Sequence, residues 1–210
     1  MEKLPVYKTE GLIIKSADLC ELDRLITVYS RSEGKILARA ISARKKESKL
    51  RGYLEPFTYS NFLLAKSKTI DIITDIEPID NFSHLHGNLE SLAYAYYFAE
   101  LIDKVVVAPE RDDKIWALIK RAMEVLDSHA QYRHSDPAKA GEESRGSEAI
   151  RATKKINLPQ IKSLFEQKLL EFLGHPSFST QGKLLERGRQ NYLNLLAGER
   201  IKSVEFLSRI

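Results

Sequence analysis

Residues 25–41 read LITVYSRSEGKILARAI, and the fold depends on how this stretch is divided. Leu25–Tyr29 is rich in β-branched and aromatic residues, which suit a strand. Ser32-Glu33-Gly34-Lys35 reads as a hairpin turn, with Gly34 free to take a positive φ. Ile36–Ile41 alternates roughly between apolar and polar residues and returns antiparallel. One hairpin is therefore legible before anything else in the chain.

The pattern extends to both sides. Upstream, Gly11–Lys15 (GLIIK) is a compact apolar run. Downstream, Phe57–Ala65 (FTYSNFLLA) and Ile70–Ile76 (IDIITDI) form a second hairpin across Lys66-Ser67-Lys68-Thr69. Five short strands in about 80 residues suit a small barrel, and the five-stranded OB-fold is the natural example.

After Pro78 the period changes to that of helices. Leu89–Ile102 is apolar almost all round and predicts a buried central helix. Ile115, Leu118, Ile119, Ala122, Val125 and Leu126 mark one face of an amphipathic helix. Ser128–Lys155 is polar and contains Pro137, Gly141 and Gly146, so it reads as a flexible insertion. Leu158, Ile161, Leu164, Phe165, Leu169, Phe172 and Leu173 restore helical spacing, with Gly174 as the C-cap. Leu184–Ala197, closed by Gly198, is a further helix, and Ile201–Ile210 a short last one. The expectation is an α+β chain: an N-terminal five-stranded OB-fold barrel over 1–80 and a C-terminal helical domain over 81–210, with an insertion at about 128–155.

Charge is unevenly placed. Residues 24–51 hold nine Arg or Lys against two Glu, a net +7, whereas residues 52–81 are net −3. Most of the excess lies in residues 42–52, SARKKESKLRG. Concentrated positive charge gathers polyanions and releases counterions from phosphates. Arg44, Lys45, Lys46, Lys49 and Arg51 are the candidate phosphate contacts, and Arg24, Arg31, Lys35 and Arg39 extend the track over neighbouring strands. The run reads as a mobile loop that orders on phosphate binding. OB-folds bind single strands with a basic groove and aromatic platforms. Of the nearby aromatics, Tyr29, Phe57 and Tyr59 read as barrel packing, and Tyr53, beside the loop, as the stacking candidate.

Other chemistry is poorly supported. The single cysteine, Cys20, excludes an intramolecular disulfide and a four-cysteine zinc site within these residues. Glu21 and Asp23 beside it would raise its pKa. Asp71, Asp75 and Glu77 share one strand face by parity, which is the pattern of a wet strand face more often than of a metal site. His84 and His86 read as loop or capping residues, while His129 and His134 fall in the loose segment without fixed geometry. There is no Walker-type loop. No catalytic residue, metal or cofactor is expected. With no long apolar segment and no signal-peptide pattern, the expectation is a soluble protein of the cytoplasm, associated with the nucleoid, with no membrane partner.

These residues resemble the bacterial RecO family of DNA repair and recombination mediator proteins. The resemblance runs through Thr9-Glu10-Gly11 and Lys15, Glu21, Asp23-Arg24-Leu25, Thr27, Gly34-Lys35 and Ala43-Arg44. It continues in Leu50-Arg51-Gly52, Leu54-Glu55-Pro56-Phe57, Ala95-Tyr96-Tyr97 and Glu100-Leu101. It covers residues 7–126 well and 158–174 loosely. It implies an OB-fold with a helical domain that binds single- and double-stranded DNA and anneals complementary strands. It also implies work with RecR, and in many bacteria RecF, to load RecA, and binding of the acidic, apolar C-terminal tail of single-stranded DNA-binding protein. An apolar groove on the helical domain would take that tail, with Arg121 and Lys168 at its rim. Many relatives carry a four-cysteine zinc module after the helix matching Leu158–Leu173; here His175-Pro176-Ser177-Phe178-Ser179 follows, so the chain reads as a short form without zinc. The charge pattern by itself also fits an RNA-binding OB protein of translation or RNA processing, or a non-enzymatic protein-binding adaptor.

Overall fold

The structure is a computed structural model that describes residues 5–134, 157–175, 183–207 and 209. Five strands, β1 (Val6–Leu19), β2 (Asp23–Ser30), β3 (Gly34–Ala40), β4 (Tyr59–Ala65) and β5 (Asp71–Asp80), close into one barrel. The order around it is β1-β2-β3-β5-β4, with β1 pairing antiparallel to both β2 and β4, and β3 running parallel to β5. This is the OB-fold arrangement. The opening hairpin lies where its sequence puts it: Ser30 pairs with Gly34 and Tyr29 with Lys35, and Gly34 has φ +69°. The second expected hairpin is the antiparallel β4–β5 pair.

The unbroken apolar run in β1 has a simple cause. Ile13 points into the barrel core with Ile26, Val28, Phe62 and Leu64. Leu12 and Ile14 point the other way, into a second core shared with the helices. A strand buried on both faces loses the alternation that marks a half-exposed one. A register shift between Ile13 and Lys15 lets the strand bend as it passes from one pairing to the next. Tyr29, Phe57 and Tyr59 join that second core beside Phe82, Phe98 and Trp116, so all three are packing residues.

The helices are α1 (Ser83–His86), α2 (Leu89–Val105), α3 (Asp113–His134), α4 (Leu158–Phe172), α5 (Lys183–Leu196) and α6 (Ser203–Leu207). α2 is the central one and packs against β1 and the other helices. Its N-terminus is capped by Asn88, whose side chain accepts the Ser91 N–H at 2.9 Å. Phe98 of α2 stacks on Phe165 of α4 with centroids 4.1 Å apart. Beneath them Glu166, fully buried, accepts from Tyr97 Oη at 2.5 Å and Arg189 Nε at 2.6 Å, and pairs with Lys162 at 2.7 Å. α4 ends as expected, with Gly174 at φ +75° just past its last turn.

Two expectations are corrected. α3 continues through residues 128–134, into the stretch read as an insertion, because Leu126 and Ala130 keep the helical period on its buried face. His129 is therefore not in a loose segment; it is buried, with Nδ1 3.0 Å from Ser91 Oγ. The rest of the expected insertion, 135–155, and the stretch 176–179 lie outside the described residues. Second, Asp71, Asp75 and Glu77 do not share a face. Leu63 pairs with Asp75 and Leu64 with Ile73, so Thr74 is an extra residue that inverts the alternation. Asp71 accepts from Tyr7 Oη at 2.5 Å and from Ser67 N–H at 3.0 Å, while Asp75 and Glu77 stand exposed beyond the bulge. Among the described residues no three His, Cys, Asp or Glu side chains converge as a metal site. No described helix is long and apolar enough to cross a membrane.

Candidate nucleic-acid interface

The basic run joins β3 to β4 and is a succession of turns. Lys45 N–H donates to Ser42 O at 3.2 Å, Ser48 N–H to Lys45 O at 3.1 Å and Arg51 N–H to Ser48 O at 3.3 Å. Arg51–Tyr53 then form a short 3-10 turn. Apolar residues hold the run to the barrel: Ala43 and Leu54 are buried in its core and Leu50 packs against it. Apolar side chains separated by seven and four positions leave the intervening cations no inward direction. Arg44, Lys45, Lys46, Lys49 and Arg51 are all exposed, as is Tyr53 at 41%.

The start of the run is set by Asp23. Its carboxylate accepts the Ser42 N–H at 2.7 Å and Arg39 Nε at 2.6 Å. The Ser42 N–H and then the Arg39 guanidinium hold the Asp23 carboxyl below its ordinary pKa. Beside it Arg44 N–H donates to Leu22 O at 2.9 Å, which ties the run to the β1–β2 turn. Arg24 pairs with Glu55 at 2.9 Å across the base of the loop.

The nine candidate cations do not form one track. Arg24 and Arg39 are at the loop end of the β2–β3 hairpin, with Arg24 opposite Ala40. Arg31 and Lys35 are at its turn, the full length of β3 away, roughly 20 Å at strand spacing. Arg31 pairs with Glu10 at 3.4 Å. Lys35 is held apart from the loop cations. Its ammonium is half-buried and donates to the carbonyls of Asp103 and Val106 at 2.6 Å each, at the C-terminus of α2. Burial lowers its pKa, opposed by the Asp103 charge. It docks the barrel on the helices. Lys15 does the same from β1, with Asp103 at 3.0 Å.

Among the described residues Lys45, Lys46, Lys49 and Arg51 make no ion pair and are exposed, although the Lys45 charge is felt by Asp23. Arg121 and Lys168 are engaged locally instead. Arg121 pairs with Glu124 at 3.0 Å and Lys168 with Glu171 at 2.9 Å, each one turn along its own helix. The positioning acids Asp23 and Glu55 were missed as site residues, although both stand among the residues that carry the family resemblance.

A closed OB barrel with an exposed cationic β3–β4 connection, seated on a helical domain, defines the class. Comparison with known proteins is more specific. Residues 1–82 match the family described as Recombination protein O N terminal. The chain is 32% identical over 123 residues to a protein named DNA repair protein RecO from Pelotomaculum thermopropionicum, which is 59% of this chain and 48% of that one. To the protein of the same name from Roseiflexus sp. it is 34% identical over 126 residues, 60% of this chain and 44% of the relative. A third, from Alkaliphilus metalliredigens, is 26% identical over 169 residues, 80% of this chain and 58% of that one. The barrel thus matches the model of the RecO N-terminal domain, and these comparisons agree with the resemblance read from the sequence. The chain spans about half the length of the curated relatives it matches.

Proposed function

We propose that this chain is a DNA-binding mediator of recombinational repair that holds strands by their phosphates at the β3–β4 connection. The observation that carries the reading is the cluster of exposed, unpaired Lys45, Lys46, Lys49 and Arg51 on an OB barrel, with Arg44 and Tyr53 beside them. Its similarity to proteins named DNA repair protein RecO supports the same reading. Contacts of this kind take the backbone and leave base edges free, which is what annealing requires. Single- and double-stranded DNA are the ligands. RecR, the tail of single-stranded DNA-binding protein and RecF are the partners in this reading, and loading of RecA is its outcome. Chemistry on the strand is no part of it.

The test is a fluorescence-anisotropy titration with a single-stranded oligonucleotide, repeated with Arg44, Lys45, Lys46 and Lys49 replaced by Gln. Contact with about four to six phosphates predicts a log–log salt slope near −3 to −4. A flat slope, or unchanged affinity in the quadruple variant, defeats the reading. Preference for a matched RNA strand in competition favours the RNA-processing alternative. Annealing of complementary strands coated with single-stranded DNA-binding protein tests the mediator role.

A further inference from the structure

The two arginines at the base of the run share one carboxylate. Asp18, near the end of β1, places Oδ1 3.7 Å from Arg24 Nε and Oδ2 3.4 Å from Arg44 Nη1. The backbone fixes this meeting: Asp18 pairs with Arg24 in the β1–β2 register, and the Arg44 N–H is held by the Leu22 carbonyl. A carboxylate between two guanidinium groups occupies the place a phosphate oxygen would take, while Arg24 also keeps its closer pair with Glu55 at 2.9 Å. Four neighbours, Lys45, Lys46, Lys49 and Arg51, make no ion pair among the described residues. The Asp18 side chain is 56% exposed, so its contacts are solvent-screened and readily exchanged.

We propose that Asp18 is a built-in competitor for a phosphate site between Arg24 and Arg44. This rests on the strand-binding reading and adds an order of events to it. A lone anion must displace Asp18 unaided. A polyanion already seated on the four open cations presents its next phosphate at high effective concentration and displaces the carboxylate. When the strand leaves, Asp18 recaptures both arginines, which favours release. The site thereby selects polyphosphate chains over single anions.

The test uses the full chain and a fluorescent single-stranded oligonucleotide. Asp18→Asn keeps the shape and removes the charge. It is expected to bind about three- to tenfold tighter, with a salt slope steeper by about 0.7 for one further phosphate. Glu124→Gln, which frees Arg121 instead, controls for net charge. In an Arg44→Gln background the gain from Asp18→Asn should fall below about twofold, because the competitor then has lost one of its arginines. Thermal melting confirms that each variant is folded. The proposal fails if Asp18→Asn binds no tighter than Glu124→Gln, or if its gain survives in the Arg44→Gln background. If the wild-type chain and every variant fail to bind the strand, the strand-binding reading falls as well.

Discussion

Asp23 accepts the backbone N–H of Ser42 at 2.7 Å, and this contact sets where the basic run leaves the barrel. The same carboxylate restrains Arg39, so one buried acid organises both the strand end and the loop. Asp23→Ala should lower the melting temperature and weaken binding to a single-stranded oligonucleotide by about three- to tenfold, without removing any cation. Melting curves and anisotropy on the same preparation check both effects. Arg39→Gln, which leaves the Ser42 contact intact, should be milder in both.

Lys35 gives the opposite pattern. Replacing it by Met leaves the Asp103 and Val106 carbonyls without their donor and should cost about 1–3 kcal/mol. Strand affinity should stay within about twofold, because its charge faces the helices and not the loop. Urea unfolding and anisotropy separate the two. A large loss of affinity in a fully folded Lys35→Met protein would contradict this assignment.

Glu100 makes stability depend on acid. Burial pushes its pKa up, but hydrogen bonds from Lys104, the Ser203 hydroxyl and the N–H groups of Ser203 and Lys202 outweigh this and hold it at about 2. A carboxyl depressed in the folded state stabilises above its unfolded pKa of about 4.5 and loses that contribution as pH falls toward 2. After solvent screening the contribution is on the order of 1–2 kcal/mol. Urea midpoints at pH 7, 4.5 and 3 should fall with acid in the wild type, and Glu100→Gln should flatten that limb.

The buried Glu166 cluster should be unforgiving. Arg189→Ala leaves the buried Glu166 carboxylate with Lys162 as its one remaining ion-pair partner among the described residues and should cost about 3 kcal/mol. Tyr97→Phe removes the hydrogen bond to Glu166 and the contact with Gln190, and should cost about 1–2 kcal/mol. Adding Glu166→Gln to Arg189→Ala should restore part of the loss, because the buried charge that has lost its arginine is then gone. Equilibrium unfolding of the three variants checks the order.

Much of the architecture is local and was therefore readable in advance. The β2–β3 hairpin rests on a turn glycine and two β-rich runs within 17 residues, and the apolar LESLAYAYYFAELI run announces α2 without any partner. The basic run was equally plain as charge. Its conformation was not, since it depends on Asp23 reaching Ser42 from 19 positions away and on Ala43 and Leu54 entering the barrel core. The bulge at Thr74 was invisible for a related reason: a register shift is a property of two strands, not of one.

Gly34-Lys35 shows where the division falls. Composition and turn chemistry alone placed these two residues at a hairpin turn, and the barrel, the helices and a strongly basic surface follow from patterns of the same short range. Which cations that surface keeps was settled only in three dimensions. Lys35 finds its carbonyl partners 68 and 71 positions along the chain and turns toward the helices, while Lys45, Lys46, Lys49 and Arg51 make no ion pair among the described residues and stay exposed. Charge is a property of a residue, but the availability of that charge depends on what the fold brings within a few ångströms of it.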